Sequence, residues 1–217
     1  MKKKKGLICF DLDNTLIHSN KAHIVSFQKS LRKHGYTHIT NKQLADRFGI
    51  SSRMYLKELI PSVSKEEIES IRRVHSKFLK QTSKRYAHKI RGVVSTLKKL
   101  KRSYVLAIVT NCNNEDVDIF LYAVNLDKNL FDRIVYSTHK MRPKPAPDQI
   151  IKAEHLLHLK ATYMVGDTIY DILAAHKARV KSIAIVSGLQ SRGKLKKAKP
   201  FKILRSITEL PTFLKVV

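Results

Sequence analysis

Five short apolar runs, each continuous and rich in β-branched residues, constrain the fold of this 217-residue chain more than any other feature. They are GLICF at 6–10, VLAIVT at 105–110, RIVYS at 133–137, TYMVG at 162–166 and SIAIVSG at 182–188. A strand with one wet face alternates apolar and polar residues; a run that is apolar throughout suits a strand covered on both faces, as in a parallel sheet. Between the runs, STLKKLKR, NEDVDIFLYAVNL, PDQIIKAEHLLHL and IYDILAAHKA carry helical spacing. Strand and helix in alternation predict an α/β domain with a doubly wound, Rossmann-like parallel sheet. About ninety residues separate the first run from the second, far more than one crossover needs. That segment reads as nearly all helix: Gly35 stops HIVSFQKSLRKHG, and Ser64 with Glu67 opens SVSKEEIESIRRVHSKFLKQ as a capping box. The expected division is a core of 1–17 and 91–217 interrupted by a helical insert at 18–90.

Hydrophobic residues make up 43% of the chain, enough for a packed core and too many for a disordered one. No apolar run is long enough to cross a bilayer, so no membrane partner is expected. The basic start MKKKK resembles the opening of a signal peptide, but the apolar stretch behind it ends at Asp11, too soon for one. The expectation is a cytoplasmic protein. Its two cysteines agree, since Cys9 in an apolar run and Cys112 in TNCNN form no framework and read as reduced thiols.

The net charge of +26 implies a field that attracts phosphates, nucleic acids and acidic surfaces. It is spread along the chain, which favours a solvated basic surface over a dedicated patch. The densest piece, RGKLKKAKPFKILR at 192–205, suits a solvated helix and edge strand as well as a nucleic-acid contact. With 7% aromatic residues and no Trp, no base-stacking platform is visible. A basic nucleic-acid-binding protein is therefore the non-enzymatic alternative.

The first run ends in FDLDNTL, with Asp11 and Asp13 two residues apart. Neighbouring carboxylates repel and need a cation, a proton or basic partners. The other strand ends supply candidates: Thr110 and Asn111, then Lys144 before Pro-x-Pro, then Asp167 and, one helical turn on, Asp171. In an open α/β sheet the ligand crevice lies at the carboxyl ends of the strands, so these groups converge at one edge.

DLDNTL, VTN, KPAPD and GDTIYDILAA, in that order, resemble the four motifs of the haloacid dehalogenase-like hydrolase superfamily across essentially the whole chain. The insert resembles the cap of its phosphoglycolate phosphatase-like branch. The resemblance implies a Mg²⁺-dependent phosphatase acting on a small anionic phosphorylated metabolite, phosphoglycolate-like, through an aspartyl-phosphate intermediate. Asp11 would be the nucleophile, and Asp13 the acid for the leaving oxygen and then the base for water. Thr110, Asn111 and Lys144 would bind the phosphoryl group. Asp11, Asp167 and the Asp13 carbonyl would hold Mg²⁺, with Asp171 supporting them.

Lys140 and Arg142 compete with Lys144 in the same loop. Relatives often carry Asp-Ser where this chain has His18-Ser19, and capped relatives often have a histidine where His23 stands. His23 and Arg53 are thus tentative substrate contacts, and His23 keeps a sugar-phosphate phosphatase or phosphomutase in view. A phosphatase of nucleotide or nucleic-acid ends is a further alternative. Dehalogenation is disfavoured, because Asp13 would be idle in it. His155 and His158, at i and i+3 of one helix, lack acidic or cysteine partners for a metal. Cys112, beside the expected site, is a candidate for oxidation sensitivity.

Overall fold

The computed structural model describes residues 4–216; the first three residues of the basic start lie outside them. The chain begins with β1 (Leu7–Phe10), β2 (Ile17–His18), α1 (Asn20–Lys33), α2 (Asn41–Ala45), α3 (Ser52–Leu59), α4 (Lys65–Tyr86) and β3 (His88–Lys89). It continues through α5 (Val93–Lys101), β4 (Val105–Val109), α6 (Asn114–Ala123) and β5 (Arg133–Val135). It closes with α7 (Asp148–Leu157), β6 (Ala161–Gly166), α8 (Ile169–Lys177), β7 (Lys181–Ile185), α9 (Arg192–Lys197), β8 (Lys202–Leu204) and α10 (Leu210–Phe213). None of the described helices is long and apolar enough to cross a membrane.

Six strands form one parallel sheet in the order β5-β4-β1-β6-β7-β8, the expected doubly wound α/β core. Alternate residues of β1 serve opposite faces. Ile8 and Phe10 join Leu106, Ile108 and Val165 in one core, while Leu7 and Cys9 join Ala107, Val109 and Met164 in the other. Cover on both sides is why these runs carry no polar alternation. Each fully buried Leu, Ile or Phe contributes roughly 1.5–3 kcal/mol. The edge strand β5 stops at Val135, two residues short of its apolar run, where its pairing with β4 ends at Val109. The densest basic stretch becomes α9 and the opposite edge strand β8, with its lysines exposed. Strand order reverses at β1, between β4 and β6, and this sets the crevice at their carboxyl ends.

The segment between β1 and α5 is the expected helical insert, with one addition. Where it leaves and rejoins the core, β2 and β3 pair antiparallel as a two-residue ribbon, Ile17 opposite Lys89 and His18 opposite His88. Inside, α1 to α4 surround a core of their own, including Phe27, Leu31, Leu44, Leu56 and Ile71. Helix α4, with 22 residues, spans about 33 Å and packs along α1. Gly35 stands just beyond α1 with φ 82°, as the stop requires. Only half of the Ser64–Glu67 capping box forms. Ser64 Oγ accepts from the Glu67 N–H at 3.1 Å, but the Glu67 carboxylate turns to the Tyr36 hydroxyl at 2.9 Å.

His155 and His158 also differ from expectation, because α7 ends at Leu157 and His158 turns left-handed with φ 48°. Their ring centroids are 6.3 Å apart, and they join no group of metal-binding side chains among the described residues.

Candidate active site

Asp11 follows β1 directly, and its N–H bonds to the Val165 carbonyl of β6 at 2.8 Å, which ties it to the neighbouring strand. The chain then turns back on itself. Asn14 adopts a left-handed conformation, φ 54°, which Asn tolerates better than most residues, and the N–H groups of Leu16 and Ile17 both return to the Leu12 carbonyl. The turn places Asp13 on the wall of the same cleft as Asp11. Thr110 continues from β4 with its N–H on the Val135 carbonyl at 3.0 Å. Its hydroxyl oxygen accepts from the Cys112 N–H at 3.1 Å, and the residue lines the cleft.

Lys144 reaches the cleft from the loop before α7 and is only 2% exposed. Its Nζ lies 2.6 Å from Asp11 Oδ1, 2.7 Å from Asp171 Oδ1 and 3.0 Å from the Val109 carbonyl, one acceptor for each N–H. The competing cations are elsewhere: Lys140 is exposed, and Arg142 pairs with Asp148 at 2.8 Å. Asn111 is more committed than the motif suggests. Its amide donates to the carbonyls of Gly49 (2.9 Å) and Lys144 (3.1 Å), and its Oδ1 accepts from the Lys144 N–H at 2.9 Å. Its side chain is therefore a clamp between the Lys144 loop and the insert, and only its backbone N–H is left to meet a phosphoryl oxygen.

Asp167 precedes helix α8 rather than beginning it, because Thr168 is the N-cap. Asp171 sits in the first turn and accepts from Thr168 N–H (3.0 Å) and Oγ1 (2.6 Å) as well as from Lys144, so its oxygens are taken. Two glycines let the backbone close on these acids: a Cβ on Gly188 would overlap Asp167 Oδ2, and one on Gly166 would overlap the Asp171 carboxyl.

Carboxylate oxygens of Asp11, Asp167 and Asp171 lie within 4.8 Å of one another. Burial pushes Asp11 up to about 7, with Lys144 opposing and Asp171 and Asp13 adding to the rise. Burial and the charges of Asp11 and Asp171 drive Asp167 well above the carboxylate range. Asp13 goes the other way: burial raises it, but the charge and hydrogen bond of His23 and the thiol of Cys112 outweigh that and hold it at about 2. Four carboxylates thus face two cations, Lys144 and His23, and two negative charges remain for protons or a divalent ion. All-oxygen donors with that surplus fit Mg²⁺.

His23 Nε2 is 3.3 Å from Asp13 Oδ1. Burial lowers the affinity of His23 for its proton, but Asp13 more than restores it. Behind it, burial and then the charge of His23 hold His75 well below the imidazole range. His23 Nδ1 lies 3.2 Å from His75 Nε2, an arrangement in which the raised proton affinity of His23 and the lowered one of His75 favour His23 as the donor, and His75 Nδ1 faces Asp116 Oδ2 at 3.7 Å. The line Asp13–His23–His75–Asp116 joins the core turn, α1, α4 and α6. Sequence reasoning missed His75 and Asp116. Their one signal is His75 itself, a polar residue on the buried stripe of α4 with Ile68, Ile71 and Leu79.

Two expectations are corrected here. Arg53 does not line the cleft; its Nε pairs with Glu69 at 2.6 Å. Cys112 donates to Asp13 Oδ2 at 2.9 Å, and burial followed by the charges of Asp13 and Asp116 pushes its thiol well above the usual range. A thiol held protonated in this way is the opposite of what oxidation sensitivity requires.

Asp116 is buried and accepts from the Ser76 hydroxyl at 2.6 Å, yet burial lifts its carboxyl to about 6 against that bond and the charge of His23. The folded value exceeds the ordinary 3.8, so the folded state binds the proton more tightly and stability falls as pH rises from about 4 to 6. Asp116→Asn keeps the shape and never ionises. Relative to the native chain, it is expected to be about 2–3 kcal/mol more stable in urea unfolding at pH 7 than at pH 4. A variant no more stable at pH 7 than at pH 4, relative to native, overturns this.

The strand-end carboxylates, hydroxyl and lysine on this sheet define a hydrolase of the haloacid dehalogenase type. The chain belongs to the haloacid dehalogenase-like hydrolases, whose family model matches residues 8–185, and it is accordingly an enzyme. It is 28% identical over 210 residues to the pyrophosphatase PpaX of Bacillus mycoides, covering 95% of each chain. Among solved structures, a hydrolase from Pseudomonas syringae superposes with a TM-score of 0.86 at 23% identity, over 97% of this chain and 98% of that one. A predicted phosphoglycolate phosphatase from Haemophilus somnus superposes with a TM-score of 0.81 at 22% identity, over 96% and 97%. These two likenesses are of fold, and they agree with the capped branch to which the motifs point.

Proposed function

We propose that this hydrolase is a Mg²⁺-dependent phosphatase that cleaves a small phosphomonoester through an aspartyl-phosphate on Asp11. The observation that carries the reading is the pairing of Asp11, at the end of β1, with the buried ammonium of Lys144 at 2.6 Å. That ammonium orients one carboxylate oxygen and leaves the other for attack. In the first half-reaction Asp11 bonds to phosphorus as the bond from phosphorus to the leaving oxygen breaks, and that oxygen takes a proton. Asp13, held near 2, is ionised at neutral pH, so in the resting site this proton is carried by His23, 3.3 Å away. The pair delivers it through Asp13. In the second half Asp13 takes a proton from the water that hydrolyses the acyl phosphate, and Asp11 is restored. The Thr110 hydroxyl and the Asn111 N–H would hold the phosphoryl oxygens, and Lys144, whose three N–H groups are taken by Asp11, Asp171 and the Val109 carbonyl, would offset their charge from beside Asp11.

Asp11, Asp167 and the Asp13 carbonyl would hold Mg²⁺, with Asp171 fixed behind them by Thr168. Bound there, the ion neutralises charge on the phosphoryl oxygens. The insert, residues 18–90, would act as a cap over the cleft. Its ribbon at the neck and its separate core support that division. Both cysteines are free, which suits a reducing, cytoplasmic setting. Nucleic acid and membrane have no part in this reading. The name of the PpaX relatives favours a second one, cleavage of pyrophosphate. Orthophosphate release from small phosphomonoesters, measured with Mg²⁺ and with chelator, tests the proposal: release is expected only with Mg²⁺, and release that chelator leaves unchanged overturns the metal assignment.

A further inference from the structure

The cleft wall supplied by the insert differs in character from the rest of this basic protein. Phe27, Phe48, Ile50 and Tyr55 line it, and Leu189, in the loop after β7, joins them while remaining 52% exposed. The chain has 43 lysines and arginines, yet among the described residues Lys144 is the single one in the lining, and Asp11 and Asp171 already occupy it. Three arginines of the insert lie against acids instead. Arg47 pairs with Glu58 at 3.6 Å, Arg53 with Glu69 at 2.6 Å, and Arg72 with Glu69 at 2.5 Å and with the Ser52 hydroxyl at 2.8 Å. The other cation of the lining, His23, lies 3.3 Å from Asp13, so a second phosphate or a carboxylate placed against this wall loses water and meets no cation without a carboxylate partner, which is costly. An uncharged, apolar group placed there gains about 25 cal/mol per Å² buried.

Asn20, His23, Ser52 and His75 also line the cleft on the side of the insert, and one further polar atom there has no partner. Tyr55 is 2% exposed and its hydroxyl is buried with no hydrogen-bond partner, although the residue lines the cleft. A buried phenol normally finds a partner, and leaving it without one costs free energy that a ligand acceptor recovers.

We infer that the leaving group is an uncharged alcohol with an apolar body and a hydrogen-bond acceptor that meets the Tyr55 hydroxyl. The inference rests on the phosphatase reading and adds the class of substrate to it. It sets aside both pyrophosphate and phosphoglycolate, whose far ends are anions.

The test compares kcat/KM in matched pairs differing by one charge: phosphoglycolate against its methyl ester, and 4-carboxyphenyl phosphate against phenyl phosphate, with pyrophosphate alongside. The neutral member is expected to lead each pair by roughly tenfold or more, with pyrophosphate last. Leu189→Arg, which puts a cation at the mouth, shifts both ratios toward the charged member. Tyr55→Phe lowers kcat/KM for the methyl ester relative to ethyl phosphate, which lacks its distal acceptor. Charged members that equal or lead their partners, or pyrophosphate leading all, with release abolished in Asp11→Asn, overturn the inference and leave the phosphatase reading intact. No Asp11-dependent release from any of the six compounds overturns that reading, and the inference with it.

Discussion

Asp11→Asn is expected to release no orthophosphate above background from any ester the native chain cleaves, a loss of roughly 10⁴-fold or more. The amide has nearly the carboxylate's shape but no anionic oxygen to attack phosphorus. The surroundings should survive the exchange. Lys144 retains Asp171 and the Val109 carbonyl as acceptors, and the backbone bond from residue 11 to Val165 does not involve the side chain. Burial lifts the Asp11 carboxyl to about 7, above the ordinary 3.8, so its ionisation opposes folding at neutral pH in chelator. The variant is accordingly expected to unfold in urea no earlier than native. Turnover within tenfold of native, in a chain with unchanged unfolding, would remove Asp11 from the chemistry.

The other large effect is on the fold itself. Lys144→Met strands Asp11 and Asp171 beside Asp167 with no buried ammonium among them, and breaking a buried pair in this way costs about 3–5 kcal/mol. Burial opposes the charge of Lys144, but Asp11 and Asp171 outweigh it and raise its pKa above the ordinary 10.5. A raised value means that its contribution is fully present below about 10.5 and lost only as pH climbs past that point. The native chain should therefore hold this stabilisation across the neutral range. In the variant the deficit should shrink as pH falls, because the stranded carboxyls take up protons. Urea unfolding in chelator at pH 7 and pH 4 measures both; an equal deficit at the two pH values would assign the loss to packing instead of charge. Phosphate release by this variant should fall as well, since the ammonium that orients Asp11 and offsets charge beside it is gone.

Much of the core was legible because parallel strands covered on both sides write their burial as unbroken apolar runs, and because strand ends in such a sheet converge. The helical insert announced itself by an interval too long for a crossover. What could not be read lies in contacts across the chain. The β2–β3 ribbon is two residues long and has no periodicity. Glu67 prefers Tyr36 to its own cap because Tyr36 folds back from beyond α1. His75 and Asp116 join the site only because α4 and α6 pack together. The motif around Asn111 suggests phosphate contact, while its amide is spent on Gly49 and Lys144. Arg53 was a fair candidate by position, and a nearby glutamate in α4 claimed it. Local pattern determines elements; partners chosen among distant residues require the fold.

The Asn111 amide has a consequence for how such enzymes can be recombined. It fastens a backbone carbonyl of the insert, at Gly49, to the loop that carries the buried lysine. Gly49 has φ 106°, and a Cβ there would press on Tyr170 and Thr168, so few other residues can present that carbonyl. An insert transplanted from another family member would need a glycine-like bend at the same point, or it would leave the graft seam unlatched on the side of the phosphate.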